Sequence, residues 1–361
     1  MKLSTQRLFQ FGRKEIFYQE YREELRHAEN IKVYLNATAL ELRTDEYANR
    51  IRSIAATTLG GRQFDVRSQC FILAMGGLEN PRLLLLSNNQ IKPGIGNQHD
   101  RVGRFFMEHP HLWSGVFYPS TDSFFSESGL YNIHYRDNLP VMGKLVLSEE
   151  KMREEKILNN TVSIHFSPMQ ALRKPVRAIY EVKQSILRGK ADESILSNLK
   201  TIFSNPDVVF NQAVKKISGT DWLANHGKKF KYSGYLLNMM SEQAPDPESR
   251  VSLSRNRDRF GQNRLELNWK MNGSDVRSIR RFQEILDGEL RKNLLGHLDI
   301  ELEGDTIPEK IHGGYHHMGT TRMDRDPKKE WLMKIAKCTV SKICLLPAPR
   351  YFRPQVMQIP H

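Results

Sequence analysis

Phe71-Ile72-Leu73-Ala74-Met75-Gly76-Gly77-Leu78-Glu79-Asn80-Pro81-Arg82-Leu83-Leu84 reads as strand, glycine turn and helix. Residues 71–75 form a short unbroken apolar run, the pattern of a strand buried on both faces. The run stops at Gly76-Gly77, and Asn80-Pro81 predicts a helix start with proline in the first turn. A strand that feeds a helix through glycines brings backbone close to a bound dinucleotide. This unit sets the class as α/β. Gly76-Gly77 does not complete a GxGxxG, and no GxGxxG occurs in the 361 residues. Alone, the unit fits an ordinary tight turn equally well.

Working outward, residues 13–29 predict a polar helix with Phe17, Tyr21 and Leu25 at four-residue steps. Residues 31–35 and 37–42 have strand character. Residues 50–58 and 63–68 flank Gly60-Gly61, a hairpin signal. On the other side, residues 112–235 carry less pattern: a β-like Val116-Phe117-Tyr118 and a basic helical stretch near 179–199. Residues 246–250 predict a turn into a strand at 251–254, and residues 265–269 a further strand. Asp275 then caps a helix with Val276, Ile279, Phe282, Ile285, Leu286 and Leu290 on one face.

Length and composition bound the function. A chain this long predicts two domains or one large α/β unit. The net charge is +13, from 54 Lys and Arg against 41 Asp and Glu, but the basic residues are spread and no nucleic-acid motif accompanies them. No nucleic-acid partner is expected. No apolar run reaches the length of a membrane span, and residues 1–15 show no signal-peptide core. Cys70, Cys338 and Cys344 make no CxxC, so neither a disulfide framework nor a zinc ribbon is expected.

The strongest chemical signal lies late, in Tyr315-His316-His317-Met318-Gly319-Thr320-Thr321-Arg322-Met323. Histidine titrates near neutrality and suits proton abstraction from an alcohol. The small residues beside it admit a flat cofactor or substrate. His109, His111, His312, His316 and His317 do not form HExxH, so no metal site is expected.

Four stretches together resemble the glucose–methanol–choline family of flavin-dependent oxidoreductases. They are residues 71–84; Val102-Gly103-Arg104-Phe105-Phe106-Met107-Glu108-His109-Pro110; Glu242-Gln243 with residues 245–253; and Tyr315-His316-His317-Met318-Gly319-Thr320. They keep the family's order from about residue 13 to residue 327. The resemblance implies an FAD enzyme that oxidises a CH–OH group of a small alcohol, sugar or polyol. It implies His316 as the general base, with hydride passing from carbon to flavin N5. It places His317 near the cofactor, Ala39 at the adenine side through its backbone, and Gly76 and Gly77 where the chain passes close to the flavin. The implied organisation is a partial FAD-binding fold over 1–105 and an α+β, mixed-sheet substrate domain over 106–310. Residues 311–328 return the histidine motif, and an aberrant tail covers 329–361.

Two departures qualify that expectation. The family's opening strand–GxGxxG–helix unit is not in this sequence, so apolar sheet surface should be exposed. The match also stops near Lys328. Reading the last base of each codon with the first two of the next, the codons from Glu330 onward permit Val-Val-Asp-Glu-Asn-Cys-Lys-Val-His-Gly-Ile-Lys-Asn-Leu-Phe-Val-Ala-Gly-Ser-Ser and onward to Asn-Pro-Thr. That string suits the family, and a reading-frame change near 328–330 is inferred. The family's second catalytic residue would then lie out of frame, across the codons of Gln358 and Ile359. Three readings stay open: a flavoenzyme, an inactive remnant of one, and a subunit completed by a separately encoded N-terminal FAD-binding segment. The substrate, the choice between oxidase and dehydrogenase, and the cellular location are not readable.

Overall fold

In the computed structural model, the described residues are 4–12, 15–48, 50–167, 173–188, 194–218, 233–302, 304, 306–308, 310–322 and 343–345. The chain opens with β1 (Ser4–Gln10) and a π-helical turn (Ile16–Glu20) that runs into α1 (Tyr21–His27). Next come β2 (Ala37–Thr44), β3 (Ile51–Thr58), β4 (Gln63–Val66), β5 (Phe71–Leu73) and α2 (Gly76–Leu86). Then follow β6 (Pro110–Pro119), α3 (Ser123–Glu127), β7 (His134–Arg136), β8 (Leu139–Leu147), α4 (Glu149–Glu155) and β9 (Asn160–Ser167). Three helices follow: α5 (Arg173–Arg188), α6 (Ser194–Phe203) and α7 (Pro206–Ser218). The chain continues through β10 (Gly234–Ser241), β11 (Arg250–Arg257), β12 (Asn263–Asn268) and α8 (Gly273–Lys292). Short strands β13 (Gly296–Asp299), β14 (His312–Gly313) and β15 (Ile343–Leu345) complete the list.

Two apolar cores organise these elements. The first gathers Leu42, Ile51, Phe71, Leu73, Leu83, Leu84, Ile95 and Val102 from β2, β3, β5, α2 and the loop beyond. The second lies between an eight-stranded sheet and α8, with Leu112, Phe117, Val162, Ile164, Leu237 and Met239 meeting Ile279, Phe282 and Leu286. That sheet runs β1-β8-β9-β10-β6-β13, with β14 added to β6 and β7 to β8. Its described pairings are antiparallel. β5 and β15 pair in parallel. The α/β class with a separate sheet-and-helix layer therefore stands.

Several predicted elements form for the reasons read from sequence. The Gly60-Gly61 hairpin joins β3 to β4, with Gly61 at φ +80° and its N–H donating to the Thr58 carbonyl. On α8, Val276, Ile279, Phe282, Ile285 and Leu286 are buried on one face. Its cap differs from expectation. Asn272 is the N-cap and Asp275 sits three residues on, its carboxylate accepting the Asn272 N–H in a reciprocal capping box.

Three expectations are corrected. Residues 31–35 form no strand and join no ladder, and Tyr34 and Leu35 are 74% and 80% exposed. Alternation supplies one face of a strand but not a partner's N–H and C=O groups. Ile72 of β5 is likewise exposed, at 61%. Secondly, β1 joins β8 in the large sheet, so residues 4–10 lie with the second core and not within a 1–105 unit. Thirdly, α2 begins at Gly76, not at Asn80-Pro81, and Pro81 lies inside it. Of the 329–361 tail, residues 343–345 are described; the rest, including Gln358 and Ile359, lies outside the described residues.

Candidate active site

Pro81 has no N–H, so the carbonyl of Gly77, four residues earlier, lacks its helical donor. Thr320 supplies one: its Oγ1 donates to the Gly77 oxygen at 2.6 Å, in a buried setting. This bond fastens the histidine motif to the strand–turn–helix unit. Gly77 is closed on its other side, since a Cβ there would lie 2.7 Å from the His317 carbonyl oxygen. Gly76 is left-handed at φ +81° and has open space where a side chain would point.

The crossing segment at 102–110 completes the joint. Met107 and Met318 exchange backbone hydrogen bonds at 2.9 and 3.1 Å, and the Gly103 N–H donates to the Thr320 carbonyl. Gly319 is left-handed at φ +93°, and a Cβ there would overlap the Phe105 carbonyl. Phe106 packs its ring 5.6 Å from that of His317. Ser249, at the end of the 246–250 turn, bonds Phe106 through both backbone and side chain. All four sequence stretches therefore meet in one place.

His316 stands exposed at this joint, its ring edge-on to His109 at 5.3 Å between centroids. Beneath it lies Glu108, 5% exposed. Its carboxylate accepts the N–H of His316 at 2.6 Å, of Tyr315 at 2.7 Å and of His109 at 3.3 Å. The half-buried His317 brings Nε2 to 3.7 Å from the same carboxylate. The Glu108 N–H in turn donates to Gln243 Oε1, which also accepts from Trp269 Nε1 at 2.8 Å. A second imidazole pair, His111 and His312, sits 5.6 Å apart on β6 and β14. Burial, then the neighbouring His312 and His109, push His111 below its ordinary value, which favours its neutral form.

The structure thus joins Gly76, Gly77, His316 and His317. Ala39 stands apart, packed against the first core beside a bulge in β2. The role of Glu108 was missed, although the residue lies in a quoted stretch. Its partners are backbone N–H groups more than 200 residues away, which no local pattern reveals. The histidines pair off and do not converge: among the described residues no group of three or more His, Cys, Asp or Glu could hold a metal ion. The site's features fit a flavin ring: an open side at Gly76, an exposed imidazole, and an α2 whose first turn has no side-chain cap. Among the described residues no helix is long and apolar enough to cross a membrane.

No family model matches the chain. The fructose dehydrogenase large subunit of Gluconobacter japonicus is 25% identical over 303 residues, covering 82% of this chain and 45% of that protein. The chain thus spans about half the length of the curated relative it matches. Two solved formate oxidase structures, one of them an R554A variant from Aspergillus oryzae RIB40, align over 89% and 88% of this chain and 56% of theirs. Their identities are 15% and 16% and their TM-scores 0.44. Over most of its length the chain is thus similar to the large subunit of fructose dehydrogenase, and the four stretches that resemble the glucose–methanol–choline family come together at this joint.

Proposed function

We propose that this site oxidises a CH–OH group of a small alcohol, sugar or polyol, with His316 as the general base. The observation that carries the reading is the placement of His316. It is exposed, its backbone is clamped by the buried Glu108, and its loop is seated on the Gly76-Gly77 turn. FAD, when bound, supplies the hydride acceptor. The donor's C–H bond breaks with its electron pair, its O–H proton passes to the unprotonated ring nitrogen of His316, and a C=O bond forms. His109 holds the His316 ring from the side, and Gly76 keeps that approach open. Glu108 orients the loop through N–H bonds that do not change during the reaction. The diphosphate of FAD needs a glycine-rich turn that these 361 residues do not show. We assign those contacts to a segment outside this sequence.

The test is anaerobic mixing of FAD-loaded protein with a panel of sugars and polyols, following loss of the oxidised flavin's visible absorbance. His316→Ala is expected to slow flavin reduction by roughly 10²- to 10⁴-fold, the range for a general base, while bound flavin is unchanged. Equal rates in both proteins would remove His316 from the chemistry. Supplying a GxGxxG-bearing segment in trans separates loss of the base from loss of the cofactor.

A further inference from the structure

The face of the eight-stranded sheet turned away from α8 carries groups that the reaction above does not use. Alternation puts Leu112, Val162, Ile164, Leu237 and Met239 in the core. It puts His111 and Trp113 of β6, His165 of β9, Asn238 and Met240 of β10 and Lys144 of β8 on the other face. Lys144 is 5% exposed, yet its Nζ lies 2.8 Å from the Met240 thioether and 4.7 Å above the Phe9 ring. A thioether is a weak acceptor, and no carboxylate among the described residues pairs with this ammonium. Burial lowers its pKa, as an uncompensated cation requires. Asn238 Oδ1 is buried on the same face without a hydrogen-bond partner. Trp113 is 48% exposed, with its ring 5.0 Å from that of His165.

These groups lead to the candidate base. Met240, the residue Lys144 touches, is the register partner of His111. His111 feels the charges of both Lys144 and His109, and the His109 ring lies against His316. Lys144 belongs to β8, with β9 and β10 between it and β6, and its long side chain, reaching Met240 of β10, carries the charge toward the strand of His109 and His111.

We propose that this face is the specificity surface of the site and that it takes a carboxylate-bearing sugar or polyol, the carboxylate on Lys144 and the reacting CH–OH at His316. The assignment rests on the oxidoreductase reading above. A ligand hydroxyl donates to Asn238 Oδ1, and the open face of Trp113 covers the ligand's C–H groups. The ligand's negative charge supplies the partner that the fold withholds from Lys144.

The experiment compares galactonate, galactonamide and galactitol as donors and as ligands. Wild-type protein is expected to favour galactonate over both neutral analogues by at least tenfold in kcat/KM. Lys144→Met is expected to abolish that preference by raising KM for galactonate, and Lys144→Arg to keep it. An acid-to-neutral ratio that is unity in wild type, or unmoved in Lys144→Met, would overturn the proposal. The ligand series in wild-type protein needs no variant to fold. Calorimetric titration of the His316→Ala protein with the three ligands reads binding apart from turnover. Lys144-dependent binding of galactonate without flavin reduction by any donor would sink the catalytic reading and leave only the carboxylate site at Lys144 standing.

Discussion

Glu108 shows how one side chain sets the geometry of another's chemistry. Its two oxygens take three N–H groups, so the loop carrying His316 has little freedom to tilt. Glu108→Gln keeps the shape but turns one acceptor into an NH₂ group facing a backbone donor. Losing a bond to a charged group costs about 1.5–3 kcal/mol. The variant should show that loss in denaturant unfolding, together with slower flavin reduction at little change in KM. Unchanged stability and rate would show that the clamp has no such role. At this scale the sequence displayed the residue types but not their partners. His316 was legible because histidine beside small residues is a local pattern. Glu108, Thr320 and Lys144 were not, because each acts across strands or across more than 100 residues.

Among the elements, those that match sequence-based expectation draw their order from local rules. The α8 face follows a helical period, and the β3–β4 hairpin follows its glycines. β8 was unread because its Met142 and Val146 are buried on the face opposite the core, so the two-residue period disappears. α2 was misplaced at its start because its proline is tolerated only through a donor from another part of the chain. Between elements, α4 is tied to α8 by Glu155, which accepts from Arg281 at 2.9 Å and pairs with Lys151 at 2.7 Å. Arg281 first, and then Lys151, depress Glu155 from 4.5 to about 2. A depressed carboxylate stabilises the fold above its unfolded value and loses that contribution as pH falls toward the folded one. Acid titration should therefore weaken the α4–α8 contact between pH 4.5 and about 2. Glu155→Gln should flatten that segment of the stability curve, and an unchanged curve would show that the pair contributes nothing.

Taken as a whole, the molecule has two cores and one joint. The joint is where four separated stretches of sequence meet, and its position could be anticipated only through their resemblance to a family. The translated tail places Ile343–Leu345 in parallel beside β5. In the shifted frame the codons at that point permit Leu-Phe-Val, a strand of similar character. Replacing residues 330–361 by the shifted-frame string is expected to raise flavin retention and donor-dependent flavin reduction at least tenfold. The replacement restores the second polar group that the family resemblance implies beside His316. Spectra of the two purified proteins decide it, and equal flavin content with equal rates would remove the tail from the account.

The bond between Thr320 and Gly77 also carries a consequence for synthesis. Its partners are 243 positions apart. At translation speeds of ~5–20 residues per second, the turn at Gly77 leaves the ribosome roughly 12–50 seconds before its hydroxyl donor exists. Throughout that interval α2 has a proline inside it and a carbonyl without its donor. The first half of the chain must therefore be held in a provisional state until the last described loop is made, and codon usage between the two positions sets how long that wait lasts.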